Sequence, residues 1–202
     1  MKKSLGATTL LYPTPVLVVG SYDAAGRANV MTAAWGGIAG SAPPCGGVSL
    51  RAATASHGNI SARKAFTISL PSREQATQAD YFGMVSGRDG DKLAAAALTP
   101  VAAEFVDAPF VAEFPLVLEC ELVQVHELGL HTQFIGEIKD VKIDEGCLNA
   151  EGGIDLRKLD PIALALDTRS RKSVEAGGYF AFGELIGPAF SMGRALIADT
   201  KR

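Results

Sequence analysis

Between Ala28 and Leu50 the chain runs 23 residues without a charged side chain, and seven of them are Gly or Pro. A membrane-spanning helix needs ~20 predominantly apolar residues in an unbroken helical run. Here the glycines and prolines break any helix, and Asn29, Thr32 and Ser41 put polar groups through the stretch. It reads as strand, loop and strand inside a soluble protein. A second apolar run, Leu10 to Val19, follows Lys2 and Lys3 in the manner of an export signal. Pro13 and Pro15 interrupt it and no A-x-A cleavage pattern follows, so it reads as mature chain. No membrane partner is expected.

Strand patterns dominate the rest. Pro15 to Tyr22 is a continuous apolar run, as expected of a strand buried on both faces. Asp23 to Gly26 is a turn signal, and Asn29 to Trp35 reads as the returning strand of a hairpin. Gly47–Arg51 and Phe66–Leu70 read as short strands. Phe114–His126 and His131–Ile143 read as long strands joined by Glu127–Leu130, the second with a bulge. Helices are fewer: Ser56–Lys64, Ser72–Met84 opening with a Ser72…Gln75 capping box, and an Ala-rich Asp91–Leu98. Many short strands with a few helices predict a mainly β fold with α decorations, a barrel, and not a doubly wound sheet.

A length of 202 residues suits one domain spanning 1–202, and 48% apolar residues are ample for its core. The net charge of −3 argues against a nucleic-acid partner, which would call for a basic face. Cys45, Cys120 and Cys147 are odd in number and lack a C-x-x-C pair, so free thiols and a cytoplasmic location are expected.

The familiar cofactor and nucleophile motifs are missing. There is no G-x-G-x-x-G, no Walker A sequence and no G-x-S-x-G elbow. His126 and His131 lie in HELGLH, one residue too long for the zinc pattern H-E-x-x-H, and no metal site is expected. His131 stays open as a ligand contact. Asn59-Ile-Ser61 matches a glycosylation sequon but reads as a polar helix start. Arg51 ends a strand, Ser56 and His57 open a helix, and Lys92 closes Ser86-Gly-Arg-Asp-Gly-Asp-Lys92. A helix start with Arg and Lys nearby suits a phosphate group; an ordinary ion-paired surface turn is the alternative. Asn29-Val-Met-Thr-Ala-Ala-Trp35 offers small residues beside the only Trp, which suits either a slot for a flat ligand or a core strand.

Taken together these segments resemble the flavoredoxin group of the flavin-reductase-like proteins. The resemblance runs from Tyr12-Pro-Thr-Pro15 through Asn29–Trp35, Ala42-Pro-Pro44 and Val48–Arg51. It continues through Phe66–Pro71, Ser86–Lys92, Leu98-Thr-Pro100, Leu118-Glu-Cys120, Gly129-Leu-His131 and Gly136-Glu-Ile138. Ser-Gly-x-x-x-Asp-Lys is the most diagnostic of them. The resemblance implies a Greek-key split β-barrel, a homodimer, and non-covalent FMN near the subunit interface. By position it implies that Asn29 and the backbone of Met31, Thr32, Ala33 and Ala34 contact the ring or ribityl chain, with Trp35 close by. It implies Arg51, Thr54, Ser56, His57 and Lys92 around the phosphate and ribityl end, His131 at the flavin, and Leu164 over part of the ring. Two departures stand out. The segment after Arg51 is Ala52-Ala-Thr-Ala-Ser-His57, where the family often has Pro and a second basic residue. Leu164 also stands where an aromatic can occur.

The expected function is a flavoredoxin-like FMN-binding redox protein that carries electrons between a reductant and a protein or small-molecule acceptor, with no catalytic side chain of its own. Its reductant would be a partner protein or NAD(P)H. A flavin reductase of a two-component system is the alternative. From another class, a non-redox module binding a planar or phosphorylated ligand is kept.

Overall fold

The computed structural model describes residues 1–167 and 177–194. Its main element is a seven-stranded antiparallel sheet. The strands in chain order are β1 (Thr14–Pro15), β2 (Leu17–Tyr22), β3 (Ala28–Ala33), β4 (Gly36–Ser41), β5 (Pro44–Arg51) and β6 (Ala65–Leu70). β7 (Pro100–Ala102), β8 (Pro109–Val111), β9 (Leu116–Leu128), β10 (His131–Ile143), β11 (Ile162–Leu166) and β12 (Gly177–Ala181) follow. The large sheet has the order β3-β2-β6-β9-β10-β5-β4, while β1, β11 and β12 form a three-stranded sheet and β7 and β8 a pair. β3 approaches β5 without pairing to it, so the sheet curls toward a barrel that stays open along this seam. The expected class, mainly β with helical decorations in a split barrel, is what the chain adopts.

The hydrophobic patterning explains the layers. β2 is buried on both faces, as its unbroken apolar run requires. Leu17 and Val19 point into the barrel with Val48, Leu50, Phe66, Ile68 and Phe134. Val16 and Val18 lie on the other side with Val30, Ala79, Phe82 and Leu93. The helices are α1 (Ala55–Arg63), α2 (Ala76–Met84), α3 (Lys92–Ala95) and α4 (Leu156–Leu159). α1 contributes Ile60 to the barrel interior, and α2 and α3 cover the outer face. The capping box at Ser72 forms, but it opens a 3-10 turn, Arg73–Gln75, that leads into α2.

Several elements differ from expectation. Ala28–Leu50 holds three strands, because β4 separates what the sequence suggests is a loop. β4 is glycine-rich and exposed, so backbone pairing with β5 holds it, not an apolar face. The β9–β10 hairpin closes more tightly than expected, with Leu128 already paired to His131. β10 carries register shifts at Ile135/Gly136 and Ile138/Asp140. α1 begins at Ala55 with Thr54 as its cap, because the Thr54 hydroxyl accepts from the His57 N–H. α3 ends at Ala95, short of Leu98.

Candidate functional site

A cleft of about 270 Å³ opens at the seam between β3 and β5. Asn29 and Met31 of β3, Arg51 at the end of β5, and Ala53–Ser56 at the start of α1 form one side. Phe82–Met84 at the end of α2, Val85–Gly87 and Lys92 form the other. Among the described residues, no carboxylate, histidine or thiol lines it. The cleft can therefore bind and polarise a group but offers no general acid or base beyond a lysine.

Lys92 is its principal charge. It is only 5% exposed, and its ammonium donates to the Val85 carbonyl at 3.0 Å and lies over the Phe82 ring. Burial pushes its pKa down to about 8, partly countered by nearby Asp89. A buried ammonium with one neutral partner is electrostatically unfinished, and an anion in the cleft would complete it. Arg51 supplies an exposed second cation at the rim.

Facing Lys92, the buried Ser56 hydroxyl accepts from the Asn29 amide nitrogen at 2.9 Å. The Asn29 amide oxygen is buried with no hydrogen-bond partner. Gly87 is pressed against that oxygen: a Cβ there would lie 1.9 Å from it. Thr54 caps α1 while its own hydroxyl donates to the Arg51 carbonyl at 2.9 Å. This tight turn leaves the first N–H groups of α1 beside Arg51.

The structure thus brings Asn29, Met31, Arg51, Thr54, Ser56 and Lys92 together. Thr32 faces the other way, its hydroxyl bonded to the Ala79 carbonyl of α2, and Ala33 is buried in the barrel. Ala34 is half-buried just beyond β3. Trp35 and His131 form a tilted ring pair with centroids 4.7 Å apart. They adjoin the rim, since His131 is the register partner of Arg51. His57 and Leu164 lie outside the lining. His57 Nε2 bonds the Thr132 hydroxyl at 2.9 Å, and its ring meets Phe134 edge-on. Leu164 pairs with Thr14 and Tyr179 and packs into the outer cluster. His126 bonds Gln124 and does not converge with His131. Sequence reasoning misses Ala53 and Phe82–Val85, because nothing local marks the end of α2 as one wall of a cleft.

The flavin reductase like domain model matches residues 9–173. The chain belongs to this family. The flavoredoxin of Desulfovibrio vulgaris (Miyazaki F) is 51% identical, with a TM-score of 0.86 over 96% of this chain and 100% of that one. A flavoredoxin from Methanosarcina acetivorans is 28% identical, with the same TM-score over 97% and 99% of the two chains. A curated Archaeoglobus fulgidus protein, described as uncharacterized, is 32% identical over 132 residues, 65% of this chain and 73% of that one.

The residues of the cleft fit the cofactor this flavin-reductase-like fold implies. Lys92 and the α1 start would hold its phosphate, since both bring N–H donors to the cleft lining. The unpartnered Asn29 oxygen is an acceptor awaiting an N–H or O–H, which a ribityl chain or flavin edge carries.

Proposed function

We propose that this chain is an electron carrier that holds FMN in the seam cleft and passes electrons from a reductant to an acceptor. It is a flavin-binding redox protein, and its cofactor is FMN. The observation that carries the proposal is the combination of that cleft with 51% identity to a flavoredoxin over nearly the whole chain. Bound FMN supplies the chemistry, accepting and releasing a hydride or single electrons. The chain's own residues bind and orient. Lys92, Arg51 and the α1 start take the phosphate, Asn29 and Ser56 meet the ribityl or ring atoms, and Trp35 and His131 stand at the ring end. The backbone of Met31–Ala33 lies on the edge strand β3, with Ala34 just beyond it, and the outer groups of an edge strand can face a ligand.

The reading extends to one domain over 1–202 and to a homodimer in the cytoplasm. Exposed apolar side chains support the dimer: Ile38 on β4, with Val125, Leu128 and Leu130 in and before the β9–β10 turn. Free cysteines support a reducing compartment, and no helix among the described residues is long and apolar enough to cross a membrane.

A second reading, an NAD(P)H-dependent flavin reductase, is favoured by the family model itself. One experiment separates them. The FMN-loaded protein is mixed without oxygen with NADH, then NADPH, then dithionite, while the visible flavin bands are followed. Bands that fade only with dithionite support the carrier. Fading with either nucleotide at catalytic rates establishes the reductase instead. A protein that takes up no flavin refutes both.

A further inference from the structure

Outside the cleft, one side chain stands out. Arg88 is exposed, belongs to none of the described ion pairs, and donates from Nη1 to the Ala53 carbonyl at 2.7 Å. Among the described residues this is the only hydrogen bond joining the turn around Ala53 to the Ser86–Asp91 loop. Both segments contribute to the cleft lining, the first through Ala53–Ser56 and the second through Ser86 and Gly87. A larger groove of about 740 Å³ adjoins it and shares Asn29, Ala55 and Gly87 with it. Arg88 lines only the groove, yet its guanidinium reaches back to Ala53, which lines only the cleft. The bond therefore spans the boundary between the two.

We propose that Arg88 is a clamp residue: by tying the Ser86–Asp91 loop to Ala53 it closes the groove side of the cleft and sets how fast a bound flavin leaves. This rests on the reading of the cleft as the FMN site. Both tied segments are short turns. Arg88 N–H donates to the Ser86 hydroxyl and Asp89 N–H to the Ser86 carbonyl, while Thr54 folds back on the Arg51 carbonyl. Small turns of this kind open locally at low cost, and release from a covered site is governed by such openings. A planar guanidinium on a carbonyl is a charge-assisted bond that resists opening better than a neutral pair. Arg88 acts through the loop, as a positioning residue. It differs in this from Lys92, whose ammonium lines the cleft itself.

That difference sets the test. Release of FMN and of riboflavin is timed by stopped-flow displacement from wild type, Arg88→Ala and Lys92→Ala. A clamp retains both flavins, because it does not read the phosphate. Arg88→Ala is expected to speed release of each by about tenfold, the scale of one charge-assisted bond lost. Arg88→Lys, which can still donate to Ala53, is expected to recover part of the difference. Unchanged release of both flavins from Arg88→Ala overturns the clamp. Acceleration confined to FMN also overturns it, since Arg88 would then act as a phosphate charge. If Lys92→Ala leaves FMN binding intact, the cleft is not the phosphate site, and the FMN placement falls together with the clamp. If Lys92→Ala weakens FMN alone while Arg88→Ala changes nothing, only the clamp falls.

Discussion

At one end of the seam between β3 and β5, Lys92 at the start of α3 is 5% exposed and shares the cleft with the end of α2 and the start of α1; at the other, Trp35 is 41% exposed beside His131. The first end is enclosed by this chain alone. Its polar groups are fixed: Ser56 by Asn29, Thr54 by the Arg51 carbonyl, Lys92 by Val85. The second end is an exposed Trp35 ring against a half-buried His131, which opens β10 at the apolar tip of the β9–β10 hairpin. A charged phosphate needs a prebuilt, desolvated set of donors, because orienting them on arrival is costly. A flat ring needs mainly apolar area, which a second copy of the chain can supply as well as the first. On the proposed reading, this difference would give selectivity for the phosphate to the Lys92 end and exposure of the reactive ring to the Trp35 end.

The sharpest way to break that division is to remove the buried charge. Lys92→Met keeps much of the volume and is expected to cost FMN ~1.5–3 kcal/mol of binding, while riboflavin changes little. Fluorescence titration with the two flavins measures both, and an equal loss for the two would dissolve the distinction between the ends. Next in size is Gly87→Ala. Its new methyl would collide with the Asn29 oxygen, so Asn29 must give up its place and its bond to Ser56. The expected loss is ~1–3 kcal/mol of stability, with weaker binding of both flavins. Thermal melting with and without FMN reads it; a melt unchanged from wild type would show that Asn29 is free to move.

How far the chain could be read in advance follows the same division. The run Pro15–Tyr22 declares a doubly buried strand, and Val16–Val19 do alternate between the two apolar clusters. The Ser72 capping box and the Asp23–Gly26 turn are local chemistry, and both form. Ser86–Lys92 is legible as a close loop because glycines and a lone lysine mark it, although its tightest approach is Gly87 to Asn29. β4 is not legible: its residues are exposed and glycine-rich, and only the partner strand makes them a strand. Nor is the destination of His57, which follows Arg51 closely in sequence yet bonds Thr132 on the neighbouring strand β10. Leu164 likewise takes its place from a three-stranded sheet whose pairing joins residues some 150 positions apart. Long-range pairing, not propensity, decides these positions.

A pH series sharpens the comparison with a smaller effect. In the flavin-free protein burial holds the Lys92 pKa at about 8, below its usual 10.5. The FMN phosphate is a dianion above about pH 6. FMN affinity is therefore expected to be flat from about pH 7 to 8. Above that it falls by up to about tenfold per pH unit, as the ammonium must be reprotonated on binding. Riboflavin affinity has no reason to follow. The stability of the flavin-free protein moves in the opposite sense. Between pH 8 and 10.5 the unfolded chain holds the Lys92 proton and the folded one has released it, so this group's penalty lessens as pH rises. Equilibrium titrations at fixed salt, in wild type and Lys92→Met, separate this contribution from the rest. A fall that persists in Lys92→Met would assign it to another group.

The smallest effect is expected at the open end. Trp35 is exposed on one side and held on the other by its contact with His131, and its carbonyl accepts from the Ser49 N–H at 2.7 Å. Trp35→Ala leaves that backbone bond in place and removes only ring area. Aromatic contacts of this kind are worth ~0.5–1.5 kcal/mol beyond their area, and an exposed ring contributes at the lower end. FMN and riboflavin should therefore lose affinity equally, by about two- to fivefold, because the side chain stands away from the phosphate donors. The more telling readout is the visible spectrum. A ring that touches the flavin shifts its absorption bands when removed, whereas one that merely braces His131 does not. If Trp35→Ala costs FMN more than riboflavin, phosphate selectivity is spread along the whole seam, and the contrast between an enclosed charged end and an open aromatic end no longer describes how this site works.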